Sequence, residues 1–210
     1  MKFLQLIILS LTLTSVIILS TGLYFAFDYP WYQKEFSRLN VYQKIEPGQV
    51  ASQTFNIFSY LQDKERLTEN HYTDREKIHL TDVKNLINWA KVIDLLLIFC
   101  LIAQFWWLVK KKWKKYCLIE NLFFASLISL VIYLLLIALL YLAFSQIFLG
   151  FHQLFFNNNY WQLDPNIESL IVIFPPELFF ALVNRITVFS LITALLLLIS
   201  SGSVLLINKK

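Results

Sequence analysis

Four long apolar runs decide what this chain can be. They occupy approximately residues 3–27, 86–109, 117–149 and 178–207. Each is long enough for the ~20 residues that an α-helix needs to cross the hydrocarbon core of a bilayer. Inside that core no water is available to backbone N–H and C=O groups, so each run must satisfy its own hydrogen bonds as a helix. The fold class expected is therefore all-α: an integral membrane four-helix bundle, with residues 1–210 forming a single membrane domain. Composition agrees, since 58% hydrophobic against 15% charged residues leaves too little polar surface for a soluble domain.

The first run, with Lys2 ahead of it, resembles a secretory signal peptide. It extends from Phe3 to Phe27, however, well beyond the roughly 7–15 residues of a signal-peptide core. Gly22-Leu23-Tyr24-Phe25-Ala26-Phe27 offers no small-x-small cleavage site, so this run is expected to stay as the first span. The third run is longer than one crossing requires and should tilt or project beyond the membrane.

Charge sets the expected orientation. The net charge of +4 would suit a nucleic-acid binder if it were spread over one face, but eight of the 18 basic residues gather at the N-terminus, one short loop and the C-terminus. Lys2, the basic loop 110–116 and Lys209-Lys210 all fall on one side if the spans alternate. Of the 14 acidic residues, all but Asp94 and Glu120 fall on the other side or at its rim. Positive residues favour the cytoplasmic side, giving an N-in/C-in arrangement with outer segments 28–85 and 150–177. Neither Cys100 nor Cys117 lies in an outer segment, so no disulfide is expected.

Within the first outer segment, Ser52–Asp63 reads as a short amphipathic stretch. Thr73 and Glu76 form a T-x-x-E capping box. With no Pro or Gly between Thr73 and Val109, one helix should begin outside the membrane and run into it. Pro175-Pro176-Glu177 reads as another helix start. Lys91 and Asp94, three residues apart in span two, read as a structural ion pair.

All three histidines, His71, His79 and His152, fall on the outer side. His79 precedes span two and His152 follows span three, so two separate elements bring one imidazole each to the same level. Imidazole suits proton transfer near neutral pH. Arg75, His79 and Asp82, at i−4, i and i+3, share a helix face, and Asp82 is placed to orient the His79 ring. Taken singly, either histidine also fits a solvated charged face or an interfacial aromatic belt. What favours chemistry at His152 is its surroundings: Trp161, Asp164, Pro165, Pro175, Glu177 and Arg185. Arg185 lies inside the last apolar run, where a charge is costly, although near enough to its outer end to snorkel. His71, ahead of the helix cap, should be exposed and idle.

Several chemistries find no support. There is no G-x-S-x-G elbow, no H-E-x-x-H zinc motif, no Gly-rich phosphate loop and no H-x-x-x-x-D acyltransferase pattern. No metal and no cofactor is expected, and no nucleic acid or obligate protein partner. The span centres are nearly pure Leu, Ile, Val and Phe, with Gln104 isolated among them, which argues against a conducted polar substrate. The readings left open are an enzyme using acid/base and electrostatic catalysis, and a non-catalytic membrane assembly or binding protein.

Two strings carry a resemblance. Phe55-Asn-Ile-Phe-Ser-Tyr60-Leu61 followed by Arg75-Glu76-Lys-Ile-His79-Leu80-Thr-Asp82-Val83-Lys84 is similar to the first outer signature of the lipoprotein intramolecular transacylase (Lit) family of Gram-positive bacteria. Phe151-His152-Gln-Leu-Phe155-Phe156, then Trp161, Asp164-Pro165, Leu170-Ile171, Pro175 and Phe179-Phe180, resembles the second. The doubled Pro175-Pro176 and Leu163 depart from that pattern. The resemblance implies an acyltransferase of the cell membrane with its active site on the extracytoplasmic face. It would act on diacylated lipoprotein N-termini, moving the sn-2 acyl chain of the diacylglyceryl-cysteine to the cysteine α-amine and leaving the lyso-form. His79 and His152 would be the catalytic imidazoles. The spacing to Asp82 adds an expectation of its own: His79, oriented by Asp82, as the general base and His152 as the acid or oxyanion donor. Arg75 or Arg185 would stabilise charge, and the acyl chains would lie among membrane lipid.

Overall fold

The computed structural model describes residues 2–68, 71–110 and 115–207. Their regular structure is all helical, with no strand among the described residues. The elements are α1 (Lys2–Phe25), α2 (Tyr29–Arg38), a 3₁₀ turn (Val41–Gln43), α3 (Pro47–Leu61), α4 (Asp74–Lys110), α5 (Lys115–Phe155), α6 (Ser169–Ile173) and α7 (Pro176–Ile207). Four of them, α1, α4, α5 and α7, are long and apolar enough to cross a membrane. Residues 111–114 of the basic loop and the lysines at 209 and 210 lie outside the described residues.

The unbroken helix expected from Thr73 onward is present as α4, 37 residues long. The long third run forms α5 with 41 residues, and its backbone leaves helical geometry once, at Ala143 (φ −143°, ψ 27°). At 1.5 Å per residue both helices far exceed a hydrocarbon core of ~30 Å.

The chain divides into two compact units. One comprises residues 1–23, 91–142 and 183–210, a four-helix bundle of apolar segments. Its buried centre contains Leu9, Leu13, Leu108 and Ala125. Small and hydroxylated residues let these helices approach and bond: Thr14 Oγ1 lies 2.8 Å from Ser129 Oγ, and Tyr133 donates to the Thr14 carbonyl at 2.8 Å. The isolated Gln104 donates to Thr12 Oγ1 at 3.0 Å. Asp94 receives the Ser20 hydroxyl, which lies 3.0 and 2.9 Å from its two carboxylate oxygens. Polar side chains in the spans thus hold helix to helix.

The other unit comprises residues 24–90 and 143–182. Here the connecting segments build a core of their own. Asp28 precedes α2, with Pro30 in its first turn. Glu46 caps α3 by accepting from the Gly48 and Gln49 amides at 3.0 and 2.9 Å, and Pro47 occupies the first helical position. At the far end of α3, Asp63 takes a left-handed backbone (φ 62°), the Lys64 amide reaches back to the Ser59 carbonyl, and Asp63 pairs with Lys84 of α4 at 2.7 Å. The core is aromatic: Tyr32 and Phe36 of α2, Phe58 of α3, and Phe174 meet edge-on or tilted, with centroids 5.0–6.5 Å apart. Val50, Ile57, Leu80, Leu170, Ile173 and Leu178 complete it.

Glu76 fastens α4 into this core. The capping box forms as expected: the Thr73 amide donates to Glu76 Oε2 at 2.7 Å and the Glu76 amide to Thr73 Oγ1 at 3.2 Å. The second oxygen, Oε1, accepts the Leu170 amide of α6 at 2.8 Å. The side chain is 1% exposed, and both oxygens are spent on backbone donors. Removing it loses a cap and strands buried amides. Glu76→Ala is expected to destabilise the fold by about 2–4 kcal/mol. The measurement is a thermal melt in detergent, with Glu76→Gln retaining part of the stability because its amide oxygen still accepts.

Candidate active site

His79 sits on the second turn of α4 and His152 on the last turn of α5, both within the unit formed by 24–90 and 143–182. Their rings lie with centroids 6.2 Å apart and planes 30° from parallel. At that separation a single reacting centre can touch both.

The two imidazoles differ in how they are held. His152 Nδ1 lies 2.7 Å from the Phe148 carbonyl, one turn back on α5. A carbonyl only accepts, so Nδ1 carries the proton and Nε2 keeps a free lone pair. Aromatic rings enclose it: Phe148 at 4.4 Å, Trp161 at 4.9 Å and Phe156 at 5.5 Å between centroids. His79 is packed edge-on against Phe156 at 5.2 Å. Its Nδ1 is buried and has no hydrogen-bond partner among the described residues. An orphaned buried polar atom costs roughly 1–3 kcal/mol, and such atoms cluster where a site has work to do.

Only about 20 residues of each helix are needed in the membrane, and both histidines lie beyond the apolar runs. Burial drives the His79 pKa down to about 4; the neighbouring His152 adds to the fall and the Asp82 charge opposes it. Burial also lowers His152, against the pull of its bond to the Phe148 carbonyl. Both rings are neutral at pH 7.

The structure brings several of the anticipated residues together, in roles the spacing did not give. Asp82 shares the His79 face, but its Oδ2 accepts from Asn158 Nδ2 at 2.8 Å and no bond joins it to His79 Nδ1. The orienting contact expected from the i, i+3 spacing is not made; Asp82 reaches His79 through its field alone. Arg75 donates to the Asn159 carbonyl at 3.0 Å and lies 5.9 Å from the Tyr160 ring centroid. Trp161 stacks at a tilt on His152. Asp164 is exposed and turns its carboxylate to the Asn166 amide and side chain, both at 2.9 Å, so it shapes its own loop. Glu177 is an exposed acid in the first turn of α7. Arg185 belongs to the other unit, with its guanidinium 6.0 Å from the Phe189 ring centroid. His71 is exposed, as expected.

Sequence reasoning passed over Asn158, Asn159 and Tyr160. The available signal was the triple asparagine at 157–159, a run whose side chains readily bond nearby backbone. No group of three or more His, Cys, Asp or Glu suited to a metal ion occurs among the described residues.

The family model of the lipoprotein intramolecular transacylase Lit matches residues 5–180. The chain belongs to this family. It is therefore an acyltransferase, and its four apolar helices make it a multi-pass membrane protein. None of the curated proteins compared matches it. Among solved structures, the membrane-integral lipoprotein intramolecular transacylase Lit from Bacillus cereus superposes with a TM-score of 0.83 at 22% identity, covering 100% of this chain and 97% of that one. Two further structures of the Bacillus cereus protein carry a substituted histidine, alanine in one and arginine in the other. Both give a TM-score of 0.80 at 21% identity, covering 100% of this chain and 95% and 93% of theirs. These likenesses give the Lit fold along the whole chain.

The neutral state of His79, half-buried with its Nδ1 enclosed, makes folding pH-dependent in a defined direction. An unfolded imidazole takes up a proton near pH 6.5, whereas the folded His79 resists until about pH 4. Between those values the unfolded state binds more protons, so stability falls as pH falls. The melting temperature in detergent should drop from pH 7 to pH 4.5, and His79→Asn should shrink that drop. An unchanged pH dependence in the variant would mean that His79 is not buried neutral.

Proposed function

We propose that this Lit family member moves the sn-2 acyl chain of a diacylglyceryl-cysteine to the α-amine of the same cysteine, using His79 and His152 on the extracytoplasmic face. The observation that carries the reading is the 6.2 Å pairing of two imidazoles supplied by helices α4 and α5. The substrate holds ester and amine in one molecule, so orientation alone is worth up to roughly 7–11 kcal/mol of the barrier. What remains is proton transfer and charge stabilisation.

The roles follow from the bonds. Nε2 of His152, its tautomer fixed by Phe148, removes the proton as the amine nitrogen attacks the ester carbonyl carbon. A tetrahedral oxyanion forms, and the His79 ring donates to it. The carbon–oxygen bond to glycerol then breaks, and the imidazolium of His152 returns the proton to the departing glycerol oxygen. An amide and a free glycerol hydroxyl result, with no net proton change. This assigns the base to His152, the reverse of the assignment drawn from spacing. Trp161 packs against the His152 ring, and Arg75 and Asp82 hold the loop that carries Trp161 through Asn159 and Asn158. Asp164 and Glu177 act at the periphery, on the loop and the start of α7. Membrane lipid accommodates the acyl chains, and the mechanism needs neither metal nor cofactor.

The decisive experiment expresses the chain in a host lacking other N-acylation and analyses lipoprotein N-termini by mass spectrometry. The lyso-form is expected from the wild-type protein. His152→Ala and His79→Ala, present at normal levels, should each lower the rate by roughly 10²–10⁴-fold. Unaltered diacyl N-termini with wild-type protein in the membrane reject the activity.

The pH profile supplies a second check. The attacking amine must be uncharged and titrates near ~7.7–8.0, so log kcat/KM should rise with unit slope below that value. Imidazoles held below their ordinary pKa add no second proton until the pH is below that ordinary value. Unit slope is therefore expected to persist down to about pH 6.5; a slope already bending towards two there would mean that one imidazole titrates normally.

A further inference from the structure

The segment from His152 to Trp161 leaves α5 and must return its indole to the imidazole it has just passed. Two bonds tie this loop to α4, and they straddle His79. Arg75, one turn before His79, holds the Asn159 carbonyl at 3.0 Å. Asp82, one turn after it, holds Asn158 Nδ2 at 2.8 Å. Both come from the helix face that carries His79.

Asn158 is the hinge of this arrangement, because both ends of its amide are occupied. Oδ1 accepts the Tyr160 amide at 3.0 Å, closing the tight turn that leads into Trp161. Nδ2 donates to Asp82 Oδ2. The donor and acceptor assignment is unambiguous, since a backbone amide can only donate and a carboxylate only accept. Asn158 thereby converts the position of α4 into the position of Trp161, whose ring lies 4.9 Å from His152.

We infer that Asn158 is a positioning residue of the active site: through its paired bonds to Asp82 and to the Tyr160 amide it sets the distance between His79 and His152. This rests on the acyl-transfer reading above. Asn158 touches neither imidazole in any contact described, so it acts only through Asp82 and the turn. No other common side chain of this size fills both roles. Asp keeps the acceptor and loses the donor, Ser is too short for the pair, and Gln moves the donor outward by a methylene.

The test exploits that asymmetry. Asn158→Asp preserves the turn to Tyr160 but sets two carboxylates against each other. It should lower kcat by roughly ten- to hundredfold, the cost of losing a charge-assisted bond and misplacing a catalytic group. KM should change little, because the turn is retained and substrate contacts are not removed. Adding Asp82→Asn to that variant rebuilds the pair with its polarity reversed, since an amide at 82 now donates to a carboxylate at 158. The double variant should recover most of the lost kcat, although the negative charge has moved. A purely structural role would appear as lost protein in the membrane or a lowered melting temperature, and both are read for every variant.

Lyso-form production by purified protein in detergent is the assay, with wild-type and His152→Ala controls. Loss in N158D with recovery in N158D/D82N supports the inference. An N158D rate within twofold of wild type overturns it, as does a double variant no faster than N158D. A wild-type protein that yields no lyso-form overturns the acyl-transfer reading and this inference with it, whereas active wild type beside indifferent Asn158 variants overturns the inference alone.

Discussion

A helix crosses a bilayer in about 20 residues, and α4 and α5 have 37 and 41. The rest of the structure depends on that excess. Within the hydrocarbon an imidazole would be an expensive passenger; on the surplus turns it sits on rigid backbone yet outside the apolar runs. His79 and His152 both occupy such turns. The surplus also gives the connecting segments something to pack on, so that α2, α3 and α6 build an aromatic core of Tyr32, Phe36, Phe58 and Phe174 in the same unit as the two imidazoles.

Precision in that unit comes from backbone donors and acceptors more than from ion pairs. Glu76 spends its carboxylate on the Thr73 and Leu170 amides. Glu46 does likewise at α3. Arg75 serves a carbonyl, and Asn158 serves an amide with one end and a carboxylate with the other. Exposed ion pairs contribute little, and those present, such as Arg38 with Glu35, lie within single helices. Lys84 joins two elements, meeting Asp63 and lying 4.2 Å from the Tyr60 ring centroid.

Much of this was legible in the residues themselves. Apolar length gave the four spanning helices, because hydrocarbon permits little else. The Thr73–Glu76 box gave the start of α4, because a cap is a local contact. The histidines were legible as candidates for the same reason: they flank spans that the chain must build. Their pairing was less so, since nothing local fixes the approach of α5's last turn to α4's second. The bonding partner of Asp82 was not legible, because i, i+3 spacing reports proximity along one helix and is blind to a competitor from another. Asn158, 76 residues away in the chain, takes that carboxylate. The same blindness hid α2 and α6, short helices held by packing against a distant Phe174 or by a distant Glu76.

The bond from His152 Nδ1 to the Phe148 carbonyl is made inside one helix. The ring's tautomer is thus written into the end of α5 before any neighbouring element arrives. Helix ends fray first, and a final turn that opened would release that carbonyl to water and free the ring to carry its proton on either nitrogen. The tautomer at this position is therefore tied to the winding of a single terminal turn.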